Sequence, residues 1–413
     1  MAGYIQKGLK NILQKLPNDV VILSSIRTPV TRAKKGGLKD AYPEELLAAV
    51  LKATLSKNPN LDPALIQDVS VGSVLQELGG AKAGRMAMNH VGYPATTAFH
   101  TINRQCSSGL AAITSIAHSI ALGELSIGVG AGMESMTRNY GSRAIPTDLW
   151  PALRDSPSKD ARDCIMSMGL TSENVAARYS VSRADQDAFA ARSHQKAAHA
   201  QRTGLFDAEI VPVTTRWTDP DKPDVSPGTI TVDADDGIRP SATPESLAKL
   251  KPAFAADGSS TAGNSSQVSD GAAATLLMRR STASSLGLSG SIIGKWAGTQ
   301  VVGCHPDEMG VGPAVAIPKL LHYTGLARDD VGVWEINEAF ASQVLYCLRE
   351  LRIDEDKVNP KGGAIALGHP LGATGARQVA TLLPEMERRG VEVGVVSMCC
   401  GTGMGVASLF VRE

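Results

Sequence analysis

Ser126-Ile127-Gly128-Val129-Gly130-Ala131-Gly132-Met133 and Val391-Glu392-Val393-Gly394-Val395-Val396-Ser397-Met398 read as two versions of one buried strand. A second matched pair follows each: Asp270-Gly271-Ala272-Ala273-Ala274-Thr275-Leu276-Leu277 parallels Met404-Gly405-Val406-Ala407-Ser408-Leu409-Phe410-Val411. In the second half of the chain the two pieces are nearly adjacent, whereas in the first about 130 residues separate them. A duplicated unit with an insertion in its first copy accounts for this spacing.

Working outward, Val20-Val21-Ile22-Leu23 is a strand, residues 44–56 carry apolar side chains at helical spacing, and Asp68-Val69-Ser70-Val71 opens a further strand. The same order returns as Ser291-Ile292-Ile293, a helix over 314–321, and Asp330-Val331-Gly332-Val333. Alternating strands and helices imply an α/β fold with a mixed, largely parallel sheet in each half. The halves are expected at 19–136 with 266–289, and at 290–413. Residues 137–265 are the insertion, marked by Pro-rich and charged stretches over 146–163 and 218–227 around an amphipathic helix over 183–201.

The bulk numbers agree with two or three domains for 413 residues. Lys plus Arg (41) equals Asp plus Glu (41) and no long basic run occurs, which argues against a nucleic-acid partner. No apolar run approaches the ~18 to 20 residues of a membrane span. Residues 1–18 carry Lys7, Lys10 and Lys15 with Ile5, Leu9, Ile12, Leu13 and Leu16 at helical spacing, a basic amphipathic helix that reads as an address tag or a surface helix.

Six cysteines stand at 106, 164, 304, 347, 399 and 400, without C-x-x-C pairing or zinc-finger spacing. Free thiols and no structural metal are therefore expected. Cys164, Cys304 and Cys347 read as buried packing. Cys106 follows an extended segment, 98–102, and precedes a helix with Leu110, Ile113, Ala117 and Ile120 on one face. A thiol there meets the free amides and dipole of the helix start, which favour thiolate. Gly362 to Gly372 is a glycine-rich entry into a second helix, in the place of the Cys106 segment in the other half. If the halves pack about a pseudo-twofold, His369 approaches Cys106 as its general base. Cys399 ends an apolar strand over 393–398 at a glycine turn, where a second thiol can move a proton and the Gly401 amide can bind an oxyanion. Cys400 points to the opposite face. Asn337, after another strand, can hold a water or an oxyanion, or cap a helix.

These segments, together with 168–176, 182–197, 261–273, 337–342 and 359–378, closely resemble the thiolase family, its degradative 3-ketoacyl-CoA branch in particular. The likeness runs from about residue 20 to the C-terminus. It implies mixed five-stranded sheets in a layered helix/sheet sandwich, with a CoA-binding loop domain at 137–265. It implies Cys106 as the acylated nucleophile, His369 as its base and Cys399 as the acid/base at carbon. Asn337 and His369 would form one oxyanion site, and the amides of Cys106 and Gly401 the other. Arg239 and Ser266 match CoA-contacting positions, and Met168 an acyl or pantetheine channel. The implied reaction is thiolytic cleavage of 3-ketoacyl-CoA by CoA, giving acetyl-CoA and a shortened acyl-CoA, with CoA as substrate and no cofactor. Biosynthetic condensation of two acetyl-CoA and a non-catalytic lipid-binding role are the alternatives. Ser167 before Met168, where the acetoacetyl-CoA type tends to have His, favours longer substrates. A homodimer, or a tetramer of such dimers, is implied. The likeness is to peroxisomal members, whose address tag is matched only at Lys7 and Gln14, so mitochondrion and cytosol remain open.

Overall fold

The computed structural model describes residues 7–140, 144–221 and 226–413. Ile5 and part of the 218–227 stretch lie outside the described residues. The first half contributes β1 (Val20–Arg27), α1 (Pro43–Lys57), β2 (Asp68–Gly72), β3 (Ala98–Ile102), α2 (Ser108–Leu122) and β4 (Ile127–Ser135). Among the elements that follow are α3 (Met168–Arg178) and α4 (Arg183–Arg202), before the chain re-enters the sheet as β5 (Ser269–Arg279). The second half is β6 (Gly294–Gly303), α5 (Gly312–Thr324), β7 (Val333–Ile336), α6 (Ala341–Leu351), α7 (Ala364–Leu367), α8 (Leu371–Arg389), β8 (Val393–Cys400) and β9 (Met404–Arg412).

The main sheet runs β7-β8-β9-β6-β1-β5-β4-β2-β3. Its order is the same read from either end, with the pseudo-twofold passing between β1 and β6, which pair antiparallel over Val20–Ile22 and Gly294–Trp296. β2, β3 and β4 are parallel, as are β7 and β8. The fifth strand of the second half is reduced to a single bridge between Trp334 and Val358. The mixed, duplicated, layered α/β class is as expected, but the sheet is not largely parallel, since β1, β5, β6 and β9 pair antiparallel with every neighbour. Two strand starts in the second half also need correction. Asp330 belongs to a 3-10 turn, where its carboxylate accepts the Ala327 N–H at 2.8 Å. β7 therefore starts at Val333, and register pairs it with Val69, two residues from the sequence alignment. Likewise 289–291 is a turn and pairing begins at Gly294 rather than Ser291.

Apolar burial gives five layers. α1 packs on one side of the first half-sheet through Leu46, Leu47, Val50 and Leu51 against Val69, Val129 and Leu276. α5 and α6 pack on the far side of the second through Ile317, Leu320, Val344 and Leu348. α2 and α8 fill the centre, with Ile113, Ile116 and Ile120 meeting Val379, Leu382 and Met386. Among the described residues of the N-terminal segment one helical turn forms, Leu9–Ile12, whose Ile12 is buried in the core with Leu9 and Leu13 against it.

α2 and α8 cross at backbone contact. A Cβ on Gly109 would lie 2.7 Å from the Gly372 carbonyl oxygen and 2.9 Å from the Ala376 nitrogen; one on Gly375 would lie 2.5 Å from the Leu110 nitrogen. Alanine normally stabilises a helix interior relative to glycine by about 1 kcal/mol. Here Gly109→Ala is expected to destabilise instead, by about 1 to 3 kcal/mol for a forced overlap in a packed core. Urea unfolding midpoints check the sign.

Candidate active site

The crossing brings the two helix starts together, and Cys106 and His369 stand just ahead of them. Cys106 lies two residues ahead of α2, in a turn where Gln105 has φ 49°, a left-handed conformation that a non-glycine residue adopts at a cost. Side chains hold that turn. Asn103 Oδ1 accepts the Gln105 N–H at 3.0 Å, while Ser108 Oγ accepts the Arg104 N–H at 2.9 Å and donates to the Gln105 carbonyl at 2.6 Å. The Cys106 thiol is pushed up to about 11 by burial, against the opposing pull of the nearby Gly401 amide and of its own amide. The placement at a helix start therefore does not produce a thiolate in the resting site, contrary to the expectation from the dipole alone. Desolvation outweighs it.

His369 precedes α8. Its N–H donates to the Gln267 carbonyl at 3.0 Å, and its ring is clamped between Thr374 Oγ1, 2.6 Å from Nδ1, and Asn337 Nδ2, 3.4 Å from Nε2. With Nδ1–H donating to Thr374, Nε2 keeps its lone pair. Burial, helped by the charge of Arg377, pushes the imidazole down to about 3, so it is neutral and able to take a proton. Asn337 follows β7, its N–H bonded to the Ser397 carbonyl at 2.9 Å, and among the described residues its buried Oδ1 has no partner.

Cys399 lies inside β8, which runs to Cys400 rather than ending at Met398, opposite Gly405 of β9. Burial and the neighbouring thiol of Cys106 push it well above its ordinary range. It packs with Met309, Ala339 and Phe340, with Met168 of α3 against the same cluster. Cys400 faces the opposite side, into the central layer. The three-residue turn Gly401-Thr402-Gly403 connects β8 to β9, with Thr402 and Gly403 at φ 68° and 83°. Ser266 donates its N–H to the Ala339 carbonyl at 3.0 Å, beside the Asn337 turn.

Arg239 is exposed; its N–H donates to His194 Nδ1 at 3.1 Å and its carbonyl accepts the Ala242 N–H at 3.1 Å. It stands two residues from Gly237, whose carbonyl accepts from Gln267 Nε2 at 2.8 Å. The structure thus places Arg239 near the base of the His369 loop, outside the cluster. Of the three cysteines read as buried packing, Cys347 is buried, whereas Cys164 and Cys304 are partly exposed. Cys164 lies between short helices on the surface, and Cys304 follows the last residue of β6, where the core thins.

Sequence reasoning missed Thr374 and Gln267, which aim the imidazole, and Glu338. The Glu338 carboxylate accepts from Ser193 Oγ (2.7 Å), Asn359 Nδ2 (2.8 Å) and the Ile365 N–H (3.2 Å), tying the Asn337 turn to α4 and α7. For Thr374 a signal existed: it is five residues beyond His369, in the second turn of α8.

Such a site, two thiols and a neutral imidazole at facing helix starts of a duplicated α/β sandwich, defines an acyl-transfer protein of the thiolase type. The chain belongs to the thiolase family. Residues 20–281 match the thiolase N-terminal domain and 291–412 the thiolase C-terminal domain. It is 52% identical over 408 residues to the peroxisomal 3-ketoacyl-CoA thiolase of Yarrowia lipolytica, covering 98% of this chain and 96% of that one. It is 55% identical over 393 residues to the peroxisomal 3-ketoacyl-CoA thiolase of Homo sapiens, covering 95% and 90%. The crystal structure of the dimeric peroxisomal thiolase of Saccharomyces cerevisiae superposes with a TM-score of 0.90 at 46% identity, covering 98% of this chain and 100% of that one.

A thiol raised to about 11 is protonated at neutral pH and ionises only as pH climbs toward that value. The difference in ultraviolet thiolate absorption between wild type and Cys106→Ala is expected to be flat at pH 7 and to grow only in the alkaline range. A thiolate signal from Cys106 at pH 7 would refute a neutral resting pair.

Proposed function

We propose that this chain cleaves 3-ketoacyl-CoA with CoA, releasing acetyl-CoA and an acyl-CoA shortened by that acetyl unit, in peroxisomal fatty-acid β-oxidation. The observation that carries the reading is the backbone crossing of α2 and α8 at Gly109 and Gly372, which brings together the helix heads that carry Cys106 and the Asn337–His369 pair, with Cys399 beside Cys106.

In the first half-reaction Cys106 gives its proton to His369 Nε2 as the sulfur attacks the keto carbon. The carbon–carbon bond then breaks. The departing enolate of acetyl-CoA takes a proton from Cys399, leaving an acyl thioester on Cys106. In the second half-reaction the CoA thiol gives its proton to Cys399 and attacks the acyl carbon. Cys106 leaves as thiolate and recovers its proton from His369. Donors fixed before the reaction stabilise the oxygens on which charge develops, which is where most of the rate arises. Asn337 Nδ2 and His369 serve one oxygen; the amides of Cys106 and Gly401 serve the other. Because both the thiol and the imidazole start neutral, no ion pair must be desolvated when substrate enters.

In the same reading residues 137–265 form the domain that covers CoA, between halves at 19–136 with 266–289 and at 290–413. Met168 lines the channel, and Ser266 and Arg239 contact CoA from its inner and outer parts. The chain works as a homodimer. β3, the terminal strand of the sheet, is only partly buried, and Leu78 and Met86 are exposed nearby in the chain, a surface that suits pairing with a second copy.

Incubation with 3-ketoacyl-CoA in the absence of CoA is expected to leave an acyl group on Cys106, seen as a mass increment that Cys106→Ala abolishes. A long-chain 3-ketoacyl-CoA should turn over at least as well as acetoacetyl-CoA. Cleavage of the short substrate alone would transfer the assignment to acetoacetyl-CoA metabolism. Cys399→Ser should still accept the acyl group from a thioester while losing turnover at carbon by about 100-fold or more, as expected for a lost general acid/base.

A further inference from the structure

The register of the two half-sheets sets up an equivalence that the reaction scheme leaves unused. Cys399 of β8 pairs with Gly405, and Glu134 of β4 pairs with Gly271, in matching positions of the duplicated strand pairs. Each is the last residue but one of its strand. Glu134 is therefore the first half's counterpart of Cys399. The pseudo-twofold carries the neighbours with it. The Cys399 strand end lies at the head of α2, with Cys106, whereas Glu134 lies at the head of α8, behind His369.

Glu134 is fully buried. Its Oε2 accepts the N–H of Gly372 at 2.9 Å and of Val74 at 3.1 Å, and its Oε1 accepts the N–H of Leu75 at 3.2 Å. Gly372 is in the first turn of α8, three residues after His369; Val74 and Leu75 follow β2 of the other half. One side chain thus joins backbone from both halves at the point where the imidazole is mounted. A buried carboxylate is tolerated where backbone donors and a helix N-terminus meet its lone pairs. All three partners are donors, which favours the carboxylate, although burial pushes Glu134 up to about 7. The titratable groups it faces are Cys106 ahead of α2 and Asp270 of β5. Its charge opposes ionisation of Cys106.

We propose that Glu134 is a positioning residue for acyl transfer: it locks the head of α8, and His369 with it, against the first half beside Cys106. The inference rests on the role of His369 as base to Cys106. Glu134→Gln keeps the size of the side chain, removes its charge, and turns an NH2 group toward one of the amide donors. It is expected to lower kcat by about 100-fold, the scale of a small misplacement of a reacting group, with KM for CoA unchanged. At the same time, alkylation of Cys106 by iodoacetamide should move to lower pH, because the opposing charge is gone. Glu134→Asp, which restores the charge, should return the alkylation profile to that of wild type and recover part of kcat.

A merely structural role predicts a lower Tm and fewer active sites, with kcat per titrated site and the alkylation profile unmoved; that result overturns the proposal. Should Glu134→Gln fail to fold, Gly372→Ala supplies a coarser test with the charge retained, since its Cβ would sit 2.7 Å from Ser73 Cα, 2.9 Å from Glu134 Oε2 and 3.0 Å from the Gly72 carbonyl oxygen. It must lower kcat without moving the alkylation profile, and unchanged kcat there also overturns the proposal. Acylation separates the two levels of inference. No acyl-Cys106 in wild type sinks the functional reading itself, whereas equal acylation rates in wild type and Glu134→Gln sink only the role of Glu134.

Discussion

Two helices can touch backbone to backbone only where neither carries a side chain at the crossing, and α2 and α8 meet that condition at Gly109 and Gly375. The remaining geometry follows from the contact. Each half-sheet needs a helix on its inner face, and the two inner helices share one central layer of Ile113, Ile116, Val379 and Leu382. Because the pseudo-twofold runs through this layer, the helix starts arrive side by side with their free amides turned to the same space. Cys106 and His369 are the residues mounted just before those starts. A wider crossing would leave the same residues in the sequence and separate their chemistry.

The site is buried, and burial settles its charge state. Desolvation raises both thiols and lowers the imidazole, overriding the amides and the helix dipole that favour thiolate. Charge then appears only as bonds change, where fixed donors are most effective. Beneath the site lies a set of buried ions that join the insertion to both halves. Arg27 of β1 donates from Nε to Glu209 and from both terminal nitrogens to Asp235, at 2.7 to 2.9 Å, while Lys361 reaches the other oxygen of Glu209. Arg377 of α8 faces Glu335 of β7 at 3.4 Å. Removing one member would strand a buried charge, which costs about 3 to 5 kcal/mol. The network therefore adds a polar link between α8 and β7 to the apolar layer, and the charge of Arg377 helps keep His369 neutral.

The duplication is legible because strands preserve register: 126–133 matches 391–398 and 270–277 matches 404–411 across the insertion, and β4 pairs with β5 residue for residue as β8 pairs with β9. Legibility fails where an edge signal is local. Asp330 looks like the acid that opens β2 at Asp68, yet it caps a turn; Ile292 and Ile293 are apolar enough for a strand, but pairing waits for Gly294. Cys106, His369, Cys399 and Asn337 stand out because glycines and small residues frame them. Their supports do not. Gln267 acts through its carbonyl, Thr374 through an ordinary helix position, and Glu338 through partners 21 to 145 residues away. No pattern in one dimension marks such contacts.

What makes a duplicated fold catalytic is the point at which its halves stop matching. In the second half β8 returns to β9 through three residues, with Thr402 and Gly403 both at positive φ, the backbone that a tight hairpin requires. A Cβ on Gly403 would strike the Cys304 carbonyl at 2.4 Å, so the turn has one path, and that path aims the Gly401 N–H at Cys106. In the first half the equivalent turn is replaced by the whole excursion between β4 and β5. There the side chain of Glu134 stands at the corresponding strand end and meets the head of α8 at the Gly372 N–H. Backbone donors around a reactive sulfur suit an oxygen that gains negative charge; a carboxylate around backbone donors suits a helix that must not move. In the proposed reaction one copy of the unit supplies the reactive face, and the other holds its base in place.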